Sequence, residues 1–471
     1  MSGPGPEIQR LSWRDPDGFV VNAHGRILRA VAPAKAAQIR SLLEAPWIAR
    51  LIAEGVLPRT VETSDPPQLL QDTGDWVWLE HDLLPFPCHA HEITALQLYD
   101  AGDLTLDIAI EAAANGWVLK DASAWNLLFS KGRPWFVDLL SFDRLDSTGT
   151  WIAYGQFVRH FILPLLLYRK LGITPPEVFL IHRDGVAPER AYELLRGAGL
   201  MSATALEFVV LPKLLTRAGS RLIAAQSAGK ARVPRAAIGE HLLLNTLRRM
   251  KRTLKALRPD ETKTHSAWKS YEEERTHYSA ADLAVKTEFV REGIKDSKTV
   301  LDLGCNAGEF SLLAAECGKA VVAADADHAA LSRMYARIRG HDTGVSPIML
   351  NLGRPSPAVG WQNKEVRSFL DRAAGQFDCI LLLGIIHHLL VSERATLPML
   401  VDLLHHLNPK YVVLEWVDPK DPRFQQLAGL NGSLYSHLDA PSLEACLLQR
   451  FRMITKLPLP GGTRVMYLWQ T

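Results

Sequence analysis

Cysteine is scarce in this chain, with 5 among 471 residues, at positions 88, 305, 317, 379 and 446. The odd number and irregular spacing exclude a disulfide framework, and a reducing cytoplasm is the expected compartment. No charge of one sign prevails, because 53 Lys and Arg oppose 51 Asp and Glu for a net charge of +2. That balance gives no general attraction to nucleic acid or to an anionic membrane. Long apolar runs are absent too. The most apolar stretch, FILPLLLY at 161–168, is too short to span a bilayer and follows Arg159 and His160. The first residues lack the charged-then-apolar pattern of a secretory leader, so none is expected. No fixed-period repeat or long low-complexity tract occurs. What remains is ordinary globular composition, 47% apolar and 22% charged. The length suggests about two to four domains.

The polar segment RPDETKTHS (258–266) reads as a linker dividing the chain into 1–258 and 259–471. Just before it, Leu243, Leu247, Met250, Leu254 and Leu257 recur at helical spacing and mark one buried face. Arg248, Arg249, Lys251, Arg252 and Lys255 lie mostly off that face. A basic helix suits phosphates or an anionic surface, although a solvated face with long stems is the commoner outcome.

Beyond the linker, short apolar runs alternate with amphipathic stretches. Strands are predicted at 298–304, 319–325, 345–351, 377–384, 410–417, 452–458 and 464–470. Helices are predicted at 309–318, 327–340, 363–375, 392–408 and 442–451. The alternation implies an α/β fold, a doubly wound sheet covered on both faces. The last two strands, around Gly461 and Gly462, imply a hairpin that inserts one antiparallel strand.

The first of these strands runs into VLDLGCNAGEF (300–310), where Gly304 and Gly308 flank a strand-to-helix turn. Such glycines let the backbone approach a ligand closely. Asp325, at the end of the next strand, is placed to accept both hydroxyls of a ribose. Neither G-x-G-x-x-G nor GxxxxGK[ST] occurs. Asp302 would repel a pyrophosphate but suits a cationic nucleoside, and S-adenosylmethionine fits that description. These residues resemble the class I S-adenosylmethionine-dependent methyltransferases over about 266–471, with Asn306 where many members have glycine. The resemblance implies a Rossmann-like seven-stranded sheet. It also implies that Asp302 lies near the methionine end of the cofactor. Gly304, Cys305, Asn306, Gly308 and Phe310 would shape the loop, and Asp325 would hold the ribose. Ala326, Asp327 and Asn351 would border the adenine.

The fourth strand ends LLLGIIHHLL (381–390), on the edge where a methyl acceptor would approach. His387 and His388 are candidate bases, since imidazole accepts protons near neutral pH. They could equally cap the strand and order its loop. Glu415, ending the fifth strand, could bind acceptor hydroxyls or cap a turn. Asp378, at the opposite end of the fourth strand, reads as structural. The segment 267–290, with Trp268, Tyr271, His277, Tyr278 and Lys286, reads either as a lid over the cofactor, with Tyr278 touching it, or as a docking helix.

The N-terminal half reads as α+β. GFVVNAHGRILRAV (18–31) suggests a hairpin turning at His24-Gly25, 76–86 a strand and hinge, and 104–116 a helix. Then comes LKDASAWN (119–126), and WFVD ending at Asp138. Asp121, Asn126 and Asp138 resemble the catalytic loop of protein kinases and small-molecule phosphotransferases. That resemblance implies a base at Asp121 and Mg²⁺ at Asn126 and Asp138. It covers about 15–225, with a small lobe at 15–90 and a helical lobe at 91–258. No glycine-rich phosphate loop or V-A-I-K strand is found. Arg29 is the candidate to replace the strand lysine, although a lone strand Arg is usually solvated. A degenerate scaffold is therefore expected in preference to an active, Mg-ATP-dependent one. The combined architecture resembles bacterial proteins in which such a region precedes a methyltransferase domain, some of them described as nodulation-related.

Other clusters carry less. Cys88-His89-x-His91 lacks a second ligand pair, so zinc is not expected. His405-His406 reads as helix surface. Trp151, Tyr154, Phe157 and Phe161 read as core. The leading expectation is a cytoplasmic methyltransferase for a small-molecule or glycan acceptor, with nucleic acid and a membrane span not expected. The alternatives are a bifunctional phosphotransferase, or an N-terminal half that recruits a protein partner or substrate.

Overall fold

The computed structural model describes residues 8–66, 74–146, 149–214, 236–260 and 279–471. The chain forms two units, one of residues 1–130, 134–260 and 360–365, the other of 131–133, 261–359 and 366–471.

The N-terminal unit begins with β1 (Ile8–Arg10), β2 (Gly18–Ala23), β3 (Arg26–Val31), β4 (Thr60–Thr63) and β5 (Val77–His81). They form one five-stranded sheet in the order β1-β2-β3-β5-β4, antiparallel throughout. His24 and Gly25 turn β2 into β3 with φ of 52° and 85°, the left-handed pair that a tight hairpin needs. Asn22 Oδ1 accepts the Gly25 N–H at 3.0 Å and secures that turn. Alternate residues Val21, Ala23, Leu28 and Ala30 face a core with Phe19 and Trp78.

A helix follows over Ala95–Ala114, starting earlier than the pattern at 104–116 suggests. Thr94 opens it through a reciprocal cap with Gln97, each side chain bonding the other's backbone N–H. Then come β6 (Trp117–Leu119), β7 (Leu127–Ser130), β8 (Arg133–Phe136) and β9 (Phe142–Arg144), with β6 paired to β9 and β7 to β8. The FILPLLLY stretch runs from the end of the wide helical turn Val158–Ile162 into the helix Leu163–Leu171, buried through Leu167, and no described helix is long and apolar enough to cross a membrane. The helix Ala236–Ala256 carries Leu243, Leu247, Met250 and Leu254, all buried, as the spacing predicts. Its basic side is in part already paired: Lys251 bonds Asp103 and Asp107, and Arg249 bonds Glu207.

The C-terminal unit contains β10 (Thr299–Leu303), β11 (Ala320–Asp325), β12 (Val345–Met349), β13 (Cys379–Leu382), β14 (Tyr411–Val417), β15 (Arg452–Pro458) and β16 (Arg464–Gln470). These make a seven-stranded sheet ordered β12-β11-β10-β13-β14-β16-β15. The first five are parallel, and β16 inserts antiparallel between β14 and β15. The near-continuous burial of β10 and β13 is what helices on both faces require.

One predicted helix is corrected. The segment 363–375 is helical only over Phe369–Ala373. Gln362 and Asn363 take φ of 53° and 58°, Val366 pairs with Val359, and Ser368 supplies the cap by accepting from the Asp371 N–H. The helix expected from 392 likewise begins at Leu397, after Thr396 caps it and Arg394 turns with φ 54°.

Candidate functional site

Order reverses in the C-terminal sheet at β10. The chain proceeds to β11 on one side and later returns to β13 on the other. Loops leaving β10 and β13 therefore diverge, which opens a crevice at the carboxyl edge of the strands. Gly304, Asn306 and Gly308 line the loop after β10 with φ of 78°, 50° and 80°. Asn is the non-glycine residue that best tolerates such angles. A Cβ on Gly304 would lie 2.5 Å from Ile385 Cδ1, and one on Gly308 2.5 Å from Met334 Sδ, so both positions need the bare backbone. The Gly304 N–H donates to the Ala324 carbonyl at 2.8 Å, tying the loop to the end of β11.

Asp325 ends β11, half-buried at this edge. Its Oδ2 accepts the Asn306 N–H and its Oδ1 the Asp327 N–H, each at 2.7 Å. Burial raises its pKa, and these two bonds offset part of that rise. A carboxylate offers about four lone-pair sites, so each oxygen keeps capacity for a hydroxyl donor. Asp327 caps the next helix by accepting from Ala329 and Ala330 at 2.8 and 3.1 Å, while Ala326 is exposed. Asn351 uses its side-chain oxygen to close a turn on Gly353 and Arg354, and its amide nitrogen bonds Glu393 at 3.3 Å. Asp302 lies beneath the loop, 2% exposed, and accepts the Ser311 hydroxyl at 2.6 Å. Burial pushes its pKa up to about 6, with the Asp325 charge adding and Ser311 and Lys286 opposing. Cys305 is buried and its thiol is held well above its usual pKa by that burial. Phe310 lies with its ring 4.7 Å from Lys286 Nζ. The donor set therefore fits a ligand with ribose hydroxyls: one acidic strand end beside a backbone-lined loop, with the Asp302 carboxyl beneath it.

On the acceptor side, the helix Ile386–Val391 carries both histidines. Their ring centroids are 4.2 Å apart. His387 is 1% exposed, its Nδ1 buried without a hydrogen-bond partner, and its ring packs on Phe424. Burial, then His388 and Arg464, hold its pKa well below the usual histidine value. His388 is half-buried, with its pKa pushed down to about 4 by burial. Glu415 is fully buried and bonds two cations, Lys286 at 2.7 Å and Arg464 at 3.2 Å. Arg464 also bonds Asp421 at 3.0 Å, and Thr463 donates to the same carboxylate at 2.7 Å. An open acceptor-binding Glu415 is therefore replaced by a buried network of two anions and two cations. Sequence reasoning missed Arg464 and Asp421. Their one local signal was a charge at the head of the apolar strand RVMYLWQ. Asp378 bonds the Lys298 N–H at 2.8 Å and Lys410 at 2.8 Å, at the end of the sheet away from the crevice. Trp268, Tyr271, His277 and Tyr278 lie outside the described residues, as does most of the expected linker.

In the N-terminal unit the expected phosphotransfer residues are brought together. Asp121 precedes the short turn Ala124–Asn126, Asn126 ends it, and Asp138 caps Leu139–Ser141. Asp138 Oδ1 accepts from Arg29 Nη1 at 2.8 Å, and its Oδ2 from the Ser141 hydroxyl. Asn126 Nδ2 donates to that same hydroxyl oxygen at 3.1 Å. Burial, then the Asp138 charge, raise the pKa of Asp121. Arg29 is 6% exposed, which corrects the expectation of a solvated strand arginine. Mg²⁺ at Asn126 and Asp138 does not fit this arrangement: the amide presents its N–H to the Ser141 hydroxyl, and the Asp138 charge is already paired with the Arg29 guanidinium. Among the described residues no group of three or more His, Cys, Asp or Glu is placed to hold a metal, Cys88, His89 and His91 included. His405 and His406 are exposed on their helix.

Residues 271–450 match the family described as a methyltransferase domain, so the C-terminal half carries such a domain. Along its whole length the chain is 28% identical to nodulation protein NoeA of Rhizobium meliloti (strain 1021), covering 97% of that protein. Among solved structures, the bifunctional kinase-methyltransferase WbdD matches at 22% identity and TM-score 0.29, over 40% of this chain and 38% of that one. The N-methyltransferase NodS of Bradyrhizobium japonicum WM9 matches at 13% identity and TM-score 0.30, over 41% of this chain and 98% of that one.

Proposed function

We propose that the C-terminal unit transfers a methyl group from S-adenosylmethionine to a nitrogen or oxygen of a small-molecule or glycan acceptor. The observation that carries this reading is the pairing of Asp325 with the Asn306 N–H across the Gly304–Gly308 loop. It presents a ribose-binding carboxylate beside a phosphate-free backbone cradle at the crevice of the sheet. The cofactor supplies an electrophilic methyl on a sulfonium. Asp325 would hold the ribose, the loop glycines would admit the ligand to backbone contact, and Ala326, Asp327 and Asn351 would border the adenine. Tyr278 remains a proposed contact from the segment before the sheet.

For proton removal, His388 is the favoured group. Of the three expected catalytic residues, Glu415 is fully buried on its cations and His387 is 1% exposed. His388 keeps access and is neutral at physiological pH, the form that accepts a proton. His387 would support it through ring contact. The likeness to a nodulation protein favours trying amine- and hydroxyl-bearing oligosaccharides first. The test is release of S-adenosylhomocysteine from S-adenosylmethionine across such a panel. Turnover that is lost in His388→Gln supports the reading. No turnover with any nitrogen or oxygen acceptor contradicts it.

For the N-terminal unit we propose a kinase-like scaffold that performs no phosphoryl transfer and serves acceptor or partner recruitment. Its support is the internal use of Asp138 and Asn126 described above. Full activity from a chain lacking the N-terminal unit would remove the recruitment role.

A further inference from the structure

Methyl transfer makes no use of Asp121, Asn126 and Asp138. We propose that the Arg29 guanidinium and the Ser141 hydroxyl permanently replace the divalent cation that this constellation would otherwise hold, so the N-terminal unit is metal-independent by construction.

The hydrogen-bond directions fix the arrangement. Ser141 is fully buried and gives its one proton to Asp138 Oδ2. Its oxygen can then only accept from Asn126, 3.1 Å away, so the amide must present nitrogen there. A hard cation needs the opposite face, the amide oxygen. The seryl hydroxyl thus bridges the two side chains that a metal would bridge.

Arg29 supplies the charge. Besides its 2.8 Å bond to Asp138 Oδ1, it donates through Nη2 to the Val137 carbonyl at 2.9 Å. Behind it, Arg29 Nε donates to His81 Nε2 at 3.4 Å. His81 Nδ1 therefore carries the ring proton and donates to Thr60 Oγ1 at 2.8 Å, and Thr60 donates to the Pro58 carbonyl at 3.1 Å. Each of the three guanidinium nitrogens makes a bond, and the guanidinium is oriented from both ends. The planar fork spreads its donors over the Asp138 carboxylate and the Val137 carbonyl, which fixes the guanidinium in place.

The loop before β2 agrees with this. It carries Asp15 and Asp17 where a phosphate-covering loop would need backbone N–H groups and glycine. Asp17 takes Lys120 Nζ at 2.8 Å and lies 3.9 Å from Lys35. A phosphate there would face carboxylates, and the nearby lysines are already engaged.

The experiment uses the full-length chain and Mn²⁺ as the probe, because its electron-spin resonance signal reports free ion directly. Wild type and Asp138→Asn are expected to bind the same amount of Mn²⁺. Binding by the wild type that Asp138→Asn removes overturns the proposal. A second measurement is a cycle of Arg29→Met, Asp138→Asn and the double variant, followed by urea unfolding. Each single change is expected to lower the midpoint, and the double variant to lie above the sum of the two losses, because no uncompensated charge remains. Strict additivity would show that Arg29 does not act as the site's cation and would overturn the proposal.

Discussion

Lys286 Nζ lies 2.7 Å from Glu415 Oε2, which ties the helix before the sheet to the carboxyl end of its fifth strand. Both side chains are within 5% of complete burial. Arg464 holds the other Glu415 oxygen, so the carboxylate is a fixed part of the crevice wall.

Removing Lys286 leaves Glu415 buried with one cation fewer. Breaking a buried pair from one side costs about 3–5 kcal/mol. Lys286→Met should lower the urea midpoint accordingly, and Lys286→Met with Glu415→Gln should recover part of the loss. A single variant as stable as wild type would mean that this pair carries no structural weight.

Gly304 has φ 78° and no room for a Cβ beside Ile385. Gly304→Ala combines left-handed strain with that overlap, a cost of about 1–3 kcal/mol. Lower thermal stability together with weaker S-adenosylhomocysteine binding is expected. Unchanged binding would separate the loop from the cofactor.

Asp302 has its pKa raised from 3.8 to about 6 in the folded chain. The native state therefore holds this proton more tightly than the unfolded state. Its contribution to stability is fully present below pH 3.8 and is lost as pH rises through about 6. Relative to wild type, Asp302→Asn should gain stability across that window, by roughly 3 kcal/mol at 1.36 kcal/mol per pKa unit. Parallel stability curves for the two proteins would contradict the buried-acid assignment.

His388 is held near pKa 4, so its base form is already complete well below neutrality. The methyl-transfer rate should be flat with respect to this group from pH 6 to 8 and fall as pH drops through about 4. As a base, its replacement in His388→Gln should lower kcat by roughly 10²–10⁴-fold with little change in KM. An unaltered kcat would leave His388 as a structural cap.

Local chemistry was legible in the sequence. The Gly304–Gly308 turn, Asp325 at a strand end and the terminal hairpin each depend on neighbours in sequence, and the structure forms all three. Long-range pairing was not. Arg464 meets Glu415 from 49 residues away because antiparallel β14–β16 register brings Val417 opposite Arg464. Arg29 meets Asp138 across 109 residues, and a strand arginine gives no local sign of such a partner. The helix misjudged at 363–375 had amphipathic spacing, yet the left-handed Gln362 and Asn363 and the Val359–Val366 pairing take its first half. Apolar spacing records which residues want burial, while the turn that intervenes is decided by tertiary packing.

The most direct test is isothermal calorimetry of S-adenosylhomocysteine titrated into the full-length wild type and Asp325→Ala. One site is expected in the wild type. Loss of charge-assisted hydroxyl bonds in the variant should weaken it about 10–100-fold, equivalent to about 1.5–3 kcal/mol. A wild type that binds nothing, or a variant that binds as tightly as wild type, would contradict a ribose held at Asp325.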